Sequence, residues 1–278
     1  MAEATDIAAS PRFQPPGVPR IGVVNWYGLG ILYAKEVRRF WKVQTQTIWA
    51  PAITTLLFLA IFTVALGRGG HTLLGHPFAN FVAPGLIVMA MIQNAFANTS
   101  STILIGKVQG TIIDVLMPPL SAGELTAAFL GGAITRAVAV GLAVWLAMLL
   151  WPGVEVVVRH GWAVVYYGLM GAVMLGAMGI LTGMWAEKFD HAAAITNFVI
   201  QPLSLLSGTF YTLDKLHGHW AAASHANPFF FIIDGFRYGF LGVSDGPLLF
   251  GALFLAGINL ALVALTYALF RSGWKLRA

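Results

Sequence analysis

Lys107-Val-Gln-Gly-Thr-Ile-Ile-Asp-Val-Leu-Met-Pro-Pro119 is a short link between two long apolar segments, Phe78 to Ile105 and Leu125 to Trp151. Ile112, Ile113, Val115, Leu116 and Met117 give the link an apolar face, Lys107 and Asp114 are its only charges, and Pro118-Pro119 ends it. This pattern predicts a short amphipathic helix. Each flanking segment exceeds the roughly 20 residues that cross a bilayer. The link therefore ties two membrane spans together and gives a soluble partner one handle on both. Ser121, followed three residues later by Glu124, is a capping-box pattern that opens the second span.

Composition supports the membrane reading. The 278 residues are 58% hydrophobic and 10% charged, against about 25% charged in soluble domains. Cysteine is absent, which excludes disulfides, thiolate metal sites and a Cys nucleophile. The net charge of +5 is read as membrane topology and not as nucleic-acid binding.

Outward from the link, the expected architecture is an all-α membrane protein with six transmembrane helices, at about 48–66, 78–105, 125–151, 162–185, 192–210 and 248–270, within a transmembrane domain of residues 46–271. Residues 1–22 read as a flexible tail and 272–278 as a second tail. Residues 23–45 read as an interfacial amphipathic helix, with Trp26, Leu29, Tyr33, Val37, Phe40 and Trp41 at three- and four-residue steps and Lys35, Arg38, Arg39 and Lys42 on another face. The second span carries Asn94, Asn98 and Ser101 on one face, which either glues helices together or lines a wet path. Gln201-Pro202 marks a kink in the fifth span, and Gln201 joins that candidate path or dimer seam. Arg136 inside the third span is costly at a helix centre and calls for an ion pair, a snorkelling geometry or a substrate contact. Gly168, Ala172, Gly176, Gly179 and Gly183 predict close helix packing in the fourth. The aromatic stretch around Pro228 to Leu241, with Asp234 and Arg237, is too short and too charged to span and reads as a re-entrant or interfacial outer segment. Six spans put both termini on one side with most of the Lys and Arg, leaving Arg68, Arg159, Lys215 and Arg237 opposite; the termini are therefore expected in the cytoplasm.

No G-x-x-x-x-G-K-[ST] or H-E-x-x-H occurs, so the chain has no phosphate-cradling loop of its own. Ser204 and Ser207 lack a His within a span. His217, His219 and His225, near Asp214, leave an alternative reading, a membrane enzyme or a haem- or metal-handling protein.

Four stretches resemble the ABC-2 type transport permeases, nearest to the YadH-like bacterial inner-membrane permeases and akin to the nodulation-factor and drug-exporter permeases. They are Phe81-Val-Ala-Pro-Gly-Leu86 with Asn94-Ala-Phe-Ala-Asn98; Gly110-Thr-Ile-Ile-Asp114 with Met117-Pro-Pro119; Leu206-Ser-Gly-Thr-Phe210; and Asn227-Pro228 with Gly235-Phe-Arg-Tyr-Gly-Phe-Leu-Gly242. The last matches the family's N-P … R-x-x-x-L-G ending through Arg237 and Leu241-Gly242. The resemblance implies a homodimeric exporter in the bacterial inner membrane. Two separate ABC ATPase subunits would bind ATP and Mg, with no cofactor on this chain. The cargo would be amphipathic, lipid-linked or a glycan. By position, Gly110, Thr111, Ile112, Asp114 and Leu116 would form the coupling helix, while Asn227, Pro228 and Arg237 would order the outer segment. The chain departs from the family at Val115-Leu116, where a second acidic residue or Leu-Leu is common.

Overall fold

The computed structural model describes residues 22–66, 72–212 and 226–276. Helix α1, Trp26–Lys42, starts where the Asn25 side chain accepts a hydrogen bond from the Gly28 amide. A π-helical turn, Thr45–Trp49, leads into α2, Ala50–Leu66. A two-residue hairpin (β1, Thr72–Leu73; β2, His76–Pro77) precedes α3, Phe78–Val108. Then come α4, Ile112–Leu116; α5, Ala122–Leu149; and α6, Gly161–Trp185. Helix α7, Phe189–Ile195, runs through a second π-helical turn, Thr196–Ile200, into α8, Gln201–Leu205. Last are α9, Pro228–Leu241, and α10, Leu248–Ser272.

Five helices among the described residues are long and apolar enough to cross a membrane: Thr45–Val64, Phe78–Val108, Ala122–Leu149, Gly161–Trp185 and Leu248–Ser272. They match five of the six expected spans. The remaining expectation, 192–210, is met differently. Its helix begins earlier, at Phe189, and stops at Leu205, a length of about 25 Å at 1.5 Å per residue. Gly208 then adopts φ +72°, which an L side chain resists, and the chain turns.

Helix α3 is the axis of the bundle. Within their most apolar stretches 83% of α3 is buried, against 17% of α10, so α10 forms an edge. Lipid gives little hydrophobic drive between helices, so close packing depends on small residues. The α6 glycines supply them and name the partner. A Cβ on Gly183 would meet Ile103 and the Ser100 carbonyl of α3, and one on Gly176 would meet Ala133 and Leu130 of α5. Thr99 Oγ1 donates to the Gly176 carbonyl at 2.7 Å. At Gly179 an added Cβ would lie 2.5 Å from the Phe96 carbonyl oxygen, and backbone cannot turn aside. Gly179→Ala should therefore destabilise the protein by about 2 kcal/mol, a typical overpacking cost. Gly30→Ala, with nothing within 4 Å, should be silent in the same detergent thermal-unfolding assay.

Both π-helical turns immediately precede an X-Pro step, at Pro51 and at Pro202. A proline inside a helix has no N–H and its ring collides with the carbonyl four residues back. Widening the turn relieves that collision. Pro51, near the start of the expected 48–66 span, thus sits inside a longer helical run. Helix α3 carries an internal proline too, Pro84.

The aromatic segment is a helix, α9, and enters the bundle rather than lying on its surface. Phe229 to Phe231, Ile232, Ile233, Phe236 and Phe240 are buried, as are Asp234 and Arg237.

Candidate functional site

The link folds as expected and its two faces divide. Gly110 leaves α3 in the left-handed region (φ +73°) and turns the chain into α4. Ile112 and Val115 are buried and hold α4 to the bundle; Ile112 packs on Gly106 of α3. Gly110, Thr111, Ile113, Asp114 and Met117 are exposed, and Leu116 is half-buried. The outward surface thus combines Asp114 with Ile113 and Met117, two apolar residues that the candidate set lacked, while Ile112 faces inward. At the other end of the link, Ser121 Oγ accepts from the Glu124 amide at 3.3 Å and Glu124 Oε2 from the Ser121 amide at 2.6 Å. Glu124 Oε1 also accepts from the Asn25 amide at 2.6 Å, pinning the start of α1.

The junction between α3 and α4 is anchored. Lys107 Nζ donates to the carbonyls of Met184 and Ala186, both at 2.6 Å. These are orphan carbonyls at the negative end of α6. Nearby, Lys275 Nζ donates to Glu187 Oε1 at 3.0 Å and holds that carboxyl below the usual range.

The polar face of α3 divides between two partners. Asn98 is fully buried, and its carbonyl and Oδ1 accept from Arg39 Nη2 of α1 at 2.8 and 3.0 Å. Ser101 Oγ accepts from Arg39 Nη1 at 3.2 Å. Arg39 also pairs with Glu36, at 3.3 Å, and Thr102 Oγ1 donates to the same Glu36 oxygen at 2.7 Å. Glu36, wholly buried, was missing from the candidate set. Gly132 of α5 makes room for it, since a Cβ there would lie 2.7 Å from Glu36 Cβ. One turn further along α3, Asn94 Oδ1 accepts from Arg136 Nη2 of α5 at 2.8 Å. Arg136 thus meets an amide, and the described residues provide it no ion pair.

Asn94 and Gln201 come together on a groove of about 530 Å³ between α2, α3 and α8. Its polar lining is Gln46, Thr54, Thr55, Gln93, Asn94 and Gln201; its apolar lining includes Pro51, Phe58, Phe62, Leu86, Met89 and Phe210. Among the described residues, no Asp, Glu, Lys or Arg lines it. The Phe62 and Phe210 rings, 4.3 Å apart, both line it.

At the α9 end, Asn227 caps α9 by accepting from the Phe229 amide, donates to the Leu203 carbonyl at 2.9 Å, and precedes Pro228 in the first turn. Arg237 Nη2 donates to the Gly208 carbonyl at 2.7 Å, and its guanidinium carbon lies 3.8 Å from the Phe81 ring centroid. Asp234 accepts from the amides of Asp245 and Gly246. His217, His219, His225, Asp214 and Lys215 lie outside the described residues, as do Arg68, the tail through Ile21 and the end of the C-terminal tail.

Residues 27–241 match the ABC-2 type transporter family. The chain is also similar to the inner membrane transport permease YadH of Escherichia coli K12, at 35% identity over 256 residues, covering 91% of this chain and 98% of that protein. The same values hold for YadH of E. coli O157:H7 and of Shigella flexneri.

Proposed function

This chain belongs to the ABC-2 type transporter family, and on that premise we propose that it is the membrane subunit of an ATP-driven exporter. Membership makes it a transport subunit rather than an enzyme, places it in the bacterial inner membrane as a multi-pass protein, and implies an ABC ATPase partner. The proposal adds the rest. Two copies of the chain pair with two ATPase subunits, which hold ATP and Mg, and both termini face the cytoplasm. The run α7–α8 completes six crossings, and α9 is the re-entrant outer helix.

The observation that carries the reading is α4. It is bolted to the bundle through Ile112 and Val115 and presents Ile113, Asp114 and Met117 outward between two spans. When the ATPase subunits close on it, the push passes directly into α3 and α5, and through Lys107 into α6. Differential contacts in the two states then shift the bundle between them. The groove beside Asn94 and Gln201 is the path wall. Its aromatic and uncharged polar lining suits an amphipathic, lipid-linked or glycan cargo rather than a small ion.

The test is co-purification of the tagged chain with the ABC ATPase encoded nearest to it, followed by stoichiometry and ATP hydrolysis. A two-plus-two complex that hydrolyses ATP is expected. Asp114→Arg should still insert in the membrane yet weaken capture of the ATPase about tenfold, a loss of ~1.4 kcal/mol at the interface. Unchanged capture and unchanged stimulated hydrolysis would remove α4 from the coupling role.

A further inference from the structure

We infer that Gln93 and Gln201 form a barrier that divides the groove into two compartments, so that cargo crosses only when this pair parts; the inference rests on the groove being the path. A second cavity, about 210 Å³, lies between α3 and the α7–α8 run. The two cavities share two lining residues, Gln93 and Gln201. On α3 the first is lined by residues 86–94 and the second by 93–104; on the α7–α8 side the ranges are 201–210 and 189–201. The compartments therefore lie on opposite sides of one pair of amides along both walls. Gln93 Nε2 donates to Gln201 Oε1 at 3.5 Å, a long and therefore weak hydrogen bond.

The wall that carries Gln201 is interrupted at that residue. The second π-helical turn ends at Ile200 and Pro202 follows, so Gln201 sits where the backbone ladder is both widened and interrupted. Among the described residues, no charged side chain lines either cavity. Each amide both donates and accepts, so the pair can exchange its mutual bond for bonds to a passing hydroxyl or amide group.

The absence of cysteine makes the test clean. Leu205→Cys reports on the first compartment and Ala97→Cys on the second. The full chain, co-expressed with its ATPase, is labelled in right-side-out and inside-out membrane vesicles with a membrane-impermeant methanethiosulfonate. From a given face one reporter should react about tenfold faster than the other, and Gln201→Ala should erase that ratio, as a shift of ~1.4 kcal/mol in the barrier would. Gln93→Ala repeats the measurement from the α3 side should the Gln201 variant fail to assemble. Equal labelling of both reporters from the same face with both glutamines intact would overturn the barrier. Silence of both reporters from both faces would instead remove the water-accessible path, and the barrier with it.

Discussion

Arg39→Ala should destabilise the protein by about 3 kcal/mol, the lower end of the cost of breaking a buried ion pair by removing one partner. Glu36 has no exposure to solvent. One of its oxygens holds Arg39 and Thr102, and the other has no partner among the described residues. Without Arg39 the carboxylate keeps a single hydroxyl donor in a low-dielectric site. Asn98 and Ser101 lose their donor in the same step, so α1 loses three of its four described side-chain hydrogen bonds to α3. The measurement is the thermal midpoint of the detergent-purified chain. Lys35→Ala, on the exposed face of α1, is the control and should be near neutral. Adding Glu36→Gln to Arg39→Ala should recover part of the loss, because the stranded charge is then gone. If Arg39→Ala behaves like Lys35→Ala, the clamp does not hold α1 in place.

That clamp marks where the sequence stops being legible. The spans, the short helix of the link and the Ser121–Glu124 cap all rest on local patterns: apolar runs, a Pro-Pro stop and a three-residue spacing. Five of the six spans, the link helix and the cap are present as expected. The role of Glu36 depends on residues about sixty positions away in the chain, and no local pattern reports it. One signal was available, since Leu32, Glu36 and Phe40 repeat at four-residue steps and put an acid inside the apolar stripe. The same limit applies to Asn94, Asn98 and Ser101. Their shared face was visible, but not that Arg136 and Arg39 would take it from two sides. The expected fifth span failed at its end for a tertiary reason as well. Residues 206–210 are apolar enough to continue a helix, but the Gly208 carbonyl is held by Arg237 and the chain turns there.

Arg237→Met should cost about 3 kcal/mol or more. The side chain is 1% exposed, and Met fills similar space, so the loss is electrostatic and not a cavity. Three interactions go together. The Gly208 carbonyl loses a donor; the Phe81 ring loses a cation stacked at 3.8 Å, worth about 2 kcal/mol when desolvated; and buried Asp234 loses the neighbouring cation on its own helix. Asp234 retains two backbone amides, which keeps the cost near the low end for a stranded buried charge. Arg237→Lys keeps the charge but not the planar fork, and should lose roughly half as much. The readouts are the thermal midpoint and protease sensitivity at the turn after α8, which should rise in Arg237→Met as the contact to Gly208 goes. A Met variant as stable as the parent would leave Arg237 without a structural role. The positions involved explain why this argument extends beyond stability. Phe81, Gly208 and Arg237 belong to three separate family-like stretches, and the structure brings them to one point, two residues along the chain from Phe210, which lines the groove. On the proposal that the groove is the path, a loosened Arg237 should free Phe210 as well, and the first functional sign of the lesion should be leakage where Phe210 lines it.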